Sequence, residues 1–255
     1  NGLTLGDDFD RAHPDLARLK TGGKPLHFAR HFSDRFYTFF SASRTRRSCI
    51  QEHLAAADGQ IDTPFAIRIL QDHGVSSYRP DSHWLGDRIC AHAANGLTRN
   101  ATQTTGSLVA HLHPDRSTLW ATGTSAPCTS IYKPIWFAGE VLPDIGPPPQ
   151  GHFDPASLWW FHEQFHRRLL SDFEQGRAAC REEQQILQEQ LLQSAAAISD
   201  RPTWEVTAAA FQRSRNWTEH QISRLSSMAT RSRKPPRWSY RRYWEKQNRQ
   251  AGIHP

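Results

Sequence analysis

Apolar and polar residues follow two different periods along the chain. Between residues 88 and 137, three runs rich in β-branched and aromatic residues, 89–93, 107–112 and 118–122, precede a fourth at 130–137, and short runs of this kind predict strands. His113, Pro114, Asp115 and Arg116 separate the second run from the third. A short polar segment containing Pro and Asp predicts an antiparallel hairpin at that point. Residues 1–5 alternate as a short strand would, and Asp7, Asp8 and Asp10 end it.

Elsewhere the spacing is helical. Leu26, Phe28, Phe32, Phe36 and Phe40 suggest a short amphipathic helix or turn packed on the core, and residues 44–57 suit a helix with Ile50 and Leu54 inward. Asp62 or Thr63 can cap a helix with Pro64 in its first turn and Gly74 beyond its last apolar residue, Leu70. Proline and glycine density across 139–154 permits neither helix nor strand and marks a boundary. Beyond it, Leu158, Phe161 or His162, Phe165, Leu169, Phe173, Ile186, Leu187, Leu191 and Leu192 predict one long helix. After the Arg201-Pro202-Thr203 break, a second carries Trp204, Phe211, Ile222, Leu225 and Met228 as its apolar side. Two such helices predict an antiparallel hairpin covering a sheet.

Composition adds limits. With 255 residues the chain is long enough to bury a real core, although its mean hydropathy is −0.68. No apolar run approaches the ~20 residues that span a bilayer, and no basic-then-apolar leader stands at the start. A soluble, cytoplasmic protein with no membrane partner is expected. The four cysteines show no paired metal spacing and make no disulfide framework, so neither a metal nor another cofactor is expected. Net charge is +6, but the excess sits in Arg231, Arg233, Lys234, Arg237, Arg241, Arg242 and Lys246, opposed within that tail by Glu245 alone.

Particular words in the strand-rich stretch go further than periodicity. Thr104, Thr105, Gly106 and Ser107, then Trp120, Thr122, Gly123, Thr124, Ala126, Pro127 and Cys128, and Ser130, Ile131, Tyr132, Lys133 and Pro134, resemble the second half of secernins and secernin-type dipeptidases. These belong to the N-terminal-nucleophile (Ntn) hydrolases. The resemblance continues in Asn-Gly-Leu-Thr-Leu-Gly at residues 1–6, Ser-Ala-Ser-Arg at 41–44, Ile-Leu-Gln-Asp-His-Gly at 69–74 and Trp-Trp-Phe-His-Glu at 159–163. It implies a four-layer αββα sandwich in which the first residue of the mature enzyme, usually Cys, attacks an amide bond through an acyl-enzyme, its own α-amino group acting as base.

This chain starts with Asn1, and none of its four cysteines stands at an N-terminus. The nucleophile is therefore expected on an upstream segment or subunit. The resemblance makes Asn1 an oxyanion-hole donor, a group whose loss costs ~3 kcal/mol of barrier in comparable sites; an ordinary strand-start residue is the alternative. It makes Arg44 the arginine beside the nucleophile, able to stabilise a thiolate and to grip a substrate carboxylate through a bidentate fork. Arg46 and Arg47 next to it would equally suit a solvated basic face.

Three further features compete. Cys128 stands at a strand end like a nucleophile, but a buried cysteine acting as a small hydrophobe is the better reading, and Cys90, Cys49 and Cys180 have weaker claims. The residues 162–166, His-Glu-Gln-Phe-His, satisfy H-E-x-x-H on a helix, which can bind zinc through His162 and His166 with Glu163 as base. In the tail, Trp238, Tyr240, Tyr243 and Trp244 interleave with arginines as in nucleic-acid-binding arms, yet aromatic density this high favours packing on the protein's own surface, and no nucleic acid is expected.

The reading overall is an α+β chain, the carboxy-terminal portion of an Ntn hydrolase. Residues 1–140 form the second half of the core, 141–155 a Pro/Gly-rich connection, 156–230 a helical hairpin and 231–255 a basic aromatic tail. Its expected partners are the upstream segment bearing the nucleophile and a small amide or dipeptide substrate, with homo-oligomerisation left open.

Overall fold

A computed structural model describes residues 26–75, 77–82, 88–93, 103–137, 143–198, 203–228 and 235–254, together with residues 6, 11, 13–15 and 24. Within these, one antiparallel sheet of order β1-β2-β3 is joined to helices, so the chain is α+β. The strands are β1 (Leu108–His111), β2 (Thr118–Ala121) and β3 (Lys133–Ile135). The expected hairpin is present, with Val109 opposite Trp120 and His111 opposite Thr118, and β3 pairs with β2 through Trp120 and Pro134. Pro134, which has no N–H to give, lies on the outer strand, where a missing donor is tolerated.

The first of the four apolar runs is not a strand. Residues 88–93 are irregular, although they are sewn to their neighbours: Cys90 N donates to Asp72 O at 3.1 Å and Thr104 N to Ala91 O at 2.9 Å. A four-layer sandwich requires two sheets, and the described residues hold a single one. Residues 1–5, with their expected strand, lie outside the described residues.

Early in the chain come α1 (Phe28–Phe32), α2 (Arg35–Phe40), α3 (Ser43–Ala56) and α4 (Thr63–Leu70). The expectation that the early phenylalanines pack on the core fails. Phe32 is 50% exposed and Phe36 56%, and their rings pair locally, Phe28 with Phe32 and Phe36 with Phe40. Leu54, expected inward, is 40% exposed. By contrast α4 is capped as foreseen, Asp62 Oδ1 accepting from Phe65 N at 2.7 Å, and its Ile67 and Ile69 are buried.

The long helix expected after the boundary is two, α5 (Leu158–Leu169) and α6 (Phe173–Ala196). Asp172 divides them by capping the second, its carboxylate accepting from Gln175 N. Antiparallel to α6 runs α7 (Thr203–Ser227): Glu183 meets Arg224 near one end and Gln190 meets Arg213 further along. Of the apolar side expected for it, Ile222 and Leu225 pack against the core. Trp204 is half exposed, while Thr207, Ala210, Ser214, Trp217, Thr218 and Gln221 face inward. Small and hydroxylated residues let α7 approach β3 closely enough for Thr207 Oγ1 to donate to Pro134 O at 2.9 Å.

Residues 238–251 form a further helix, α8 (Trp238–Ala251), which packs Tyr240, Tyr243 and Trp244 on the protein as anticipated but leaves Trp238 64% exposed. Tyr240 and Trp244 are buried, and Trp244 Nε1 donates to Ala93 O. Trp244→Ala removes both the ring and that bond, so it should cost about 3–5 kcal/mol in urea unfolding followed by far-ultraviolet circular dichroism. A loss below about 1 kcal/mol would mean that α8 is not docked.

Candidate functional site

Four donors of the kind that bind metals meet where irregular segments converge: His73 just beyond α4, Cys90 and His92 in residues 88–93, and Cys128 in a 3-10 turn, Pro127–Thr129. Local bonds hold these segments together. Gln71 Nε2 donates to Pro127 O at 3.0 Å, and Ala126 N to Thr104 O at 2.8 Å. Ala126 adopts φ 51°, ψ 77°, an uncommon conformation for a residue with a side chain and one that a following proline ordinarily opposes. Its carbonyl accepts from Thr129 N and Thr129 Oγ1, which fixes the turn that carries Cys128. From α6, Gln184 donates to the carbonyls of Cys128 and Ser130, and Gln188 brackets Tyr132, accepting from its N–H and donating to its C=O. These two glutamines serve the segment as a neighbouring strand would.

His92 is the hub. Its Nε2 lies 3.1 Å from His73 Nε2, 3.4 Å from Cys128 Sγ and 3.7 Å from Cys90 Sγ, and the four donor atoms all fall within 4.8 Å of one another. On its other side, His92 Nδ1 is 3.1 Å from His166 Nε2, and His166 Nδ1 is 3.2 Å from Glu163 Oε2. A carboxylate only accepts, so His166 Nδ1 carries a proton. With that ring singly protonated, Nε2 accepts from His92 Nδ1 and the lone pair of His92 Nε2 faces the two sulfurs and His73, whereas a doubly protonated His166 would reverse both.

Glu163 anchors this relay. It is fully buried and accepts from Ser125 Oγ at 2.5 Å, Arg167 Nε at 2.8 Å and Gln103 Nε2 at 3.1 and 3.2 Å. Burial alone would raise its pKa, but His166, Arg167 and the Ser125 hydroxyl outweigh it and hold the carboxyl down at about 2. Burial drops His92 to about 4. Burial also opposes ionisation of Cys128, yet the hydrogen bond from Cys90 and the His92 and His73 rings prevail, and the thiol sits well below its usual value. Cys90 is pushed the other way by burial and by its partner. The cysteines are unpaired, so the pair can bind a metal or act as thiols. A cavity of about 370 Å³ reaches Cys128 and His73 from the surface and is also lined by Arg68, Arg177 and Arg181.

The H-E-x-x-H residues have separate partners. His162 Nε2 meets Ser130 Oγ at 3.1 Å, Glu163 is spent on Arg167, Ser125, Gln103 and His166, and His166 faces His92. Among the described residues, the donor sets suited to a metal include neither His162 nor Glu163. Asn1 lies outside the described residues. Arg44 is exposed in the first turn of α3, where it lines a hollow of about 560 Å³ with Arg30, Arg35 and Arg47. Cys128 is buried, as expected of core, but its neighbours are imidazoles and a thiol as well as apolar groups, and sequence reasoning missed that convergence. The one local hint was Cys90 and His92 standing two residues apart. A second, half-buried set, Cys49, His53 and Asp72, shares the oxygen Asp72 Oδ2, with His53 Nε2 at 3.2 Å.

Comparisons of the chain with protein-family models, with curated proteins and with solved structures return no match.

Glu163→Gln should destabilise the protein by ~3 kcal/mol at neutral pH, since it strands the buried Arg167. A carboxyl with a lowered folded pKa contributes stability above its unfolded value, near 4.5, that is lost as pH falls through about 2. The gap between wild type and variant should therefore close on acidification across that window in urea titrations. A gap independent of pH would contradict the ionised carboxylate.

Proposed function

We propose that the chain is the carboxy-terminal portion of a cysteine Ntn hydrolase, folded within a partial αββα sandwich, that cleaves a small amide or dipeptide through an acyl-enzyme. The nucleophile is carried by an upstream segment. Asn1 donates its side-chain amide to the developing oxyanion, and Arg44 orients the substrate carboxylate or stabilises the attacking thiolate. One observation carries the reading: the words that resemble the secernin-type family, far apart in sequence, are bonded to one another. Residues 69–74 join 126–128 through Gln71 and Pro127, 104–107 join the same turn through Thr104 and Ala126, and 159–163 join both through Trp159 Nε1 to Thr105 O and Glu163 to Ser125. A set of words retained from one ancestral scaffold would behave in this way, whereas chance likenesses would scatter. The antiparallel hairpin and the α6–α7 layer over β3 also suit one half of a layered sandwich.

Under this proposal the isolated chain hydrolyses no dipeptide or acyl amide. Intact-mass spectrometry of the native protein should find a companion polypeptide with an N-terminal cysteine. Adding that companion should restore hydrolysis, and Asn1→Ala in the assembly should lower kcat by roughly 100-fold or more. Amidase activity from the chain alone, tested on a dipeptide panel, would contradict the proposal.

A further inference from the structure

The buried cluster at the hub meets the requirements of a closed metal site. We infer that His73, Cys90, His92 and Cys128 bind one zinc ion in tetrahedral geometry, as a structural centre independent of the hydrolase reading. The donor set, two imidazoles and two thiolates, is the kind that selects zinc in closed structural sites.

The three edges that meet at His92 have the lengths of a zinc tetrahedron. With Zn–N of about 2.0–2.1 Å and Zn–S of about 2.3 Å, tetrahedral edges are ~3.3 Å between nitrogens and ~3.6 Å between nitrogen and sulfur. The observed separations are 3.1 Å for the nitrogens and 3.4 and 3.7 Å from His92 Nε2 to the sulfurs. His73 Nε2 and both sulfurs crowd the single lone pair of His92 Nε2, with Cys90 and His73 also turned toward Cys128. A cation at the centre receives all four lone pairs instead.

Charge and surroundings point the same way. The four side chains are at most 3% exposed, so two thiolates there would be costly without a counter-charge. Zinc with two thiolates and two neutral imidazoles carries no net charge. The relay from Glu163 through His166 holds His92 in the tautomer that a metal ligand needs, the second-sphere carboxylate–histidine support characteristic of zinc sites. His73 is fixed by stacking flat on Tyr78, ring centroids 4.1 Å apart at an interplanar angle of 2°. The cavity that reaches Cys128 and His73 supplies an entry path. The ion would tie the end of α4, residues 88–93 and the 3-10 turn together where no sheet ladder joins them.

Elemental analysis of the purified, desalted chain tests this directly, with about one zinc per chain expected. Cys90→Ser/Cys128→Ser should lower it at least tenfold, and Cys49→Ser/Cys180→Ser should leave it unchanged, which also separates this centre from the Cys49, His53 and Asp72 set. Cobalt(II) substitution of the unmutated chain provides a second readout that does not depend on the first variant folding: intense visible bands of a tetrahedral ion together with thiolate-to-cobalt charge transfer. Metal-free protein whose Cys128 is freely alkylated, zinc retained after loss of both Cys90 and Cys128, or a cobalt spectrum without thiolate bands would each overturn the inference.

Discussion

A carboxylate with no exposure to water, Glu163, fixes more of this molecule than any other single group. It is held ionised by His166 and Arg167 on its own helix, by Ser125 in the segment after β2 and by Gln103 ahead of β1. Arg167 continues to Asn248 on α8 and lies over the rings of Trp160 and Trp244, so one ion pair ties α5, α8 and the segment after β2. A buried charge is tolerated only when every lone pair is met, and removing one partner leaves the others stranded. The same carboxylate fixes a proton on His166 Nδ1, and His166 in turn meets His92, the hub of the cluster with His73, Cys90 and Cys128.

Around that centre the fold is economical in regular structure. Three short strands and the glutamines of α6 hold the segment from Thr122 to Ile135, in which Thr124, Ser125, Thr129 and Ser130 satisfy one another and nearby carbonyls while fully buried. Lys133 lies in the same segment with its ammonium donating to Thr122 O and Ile131 O and facing the Phe211 ring, and burial lowers its pKa to about 7. Each of these hydroxyls has a partner, so replacing one with an ordinary core residue would strand a buried polar group.

Much of the local structure was legible in the sequence. The hairpin at His113–Pro114, the Asp62 cap, the lack of helix or strand over residues 143–154 and the inward packing of Tyr240 and Trp244 all follow from turn chemistry, capping, proline density and the cost of hydrating aromatics. What failed did so for tertiary reasons. Residues 89–93 have strand composition, but Cys90 and His92 are drawn to partners outside any ladder. The apolar stripe on α7 holds at Ile222 and Leu225 but fails at Trp204, where close approach to β3 puts Thr207 inward instead. The H-E-x-x-H pattern drew attention to the right neighbourhood for the wrong reason, since His166 supports His92 while His162 turns to Ser130. Cys128, read as inert core, proves to be core shared with two imidazoles and a thiol, which no spacing rule exposes because its partners stand 36 residues or more away, as the His92 contact shows.

The account therefore rests on the relay from Glu163 to the lone pair of His92. Imidazole nitrogen-15 chemical shifts, read from long-range proton–nitrogen correlation spectra at neutral pH, report tautomer and charge directly. They should place His166 and His92 as rings protonated at Nδ1, with His92 Nε2 unprotonated. A proton on His92 Nε2, or an imidazolium at that position, would contradict it.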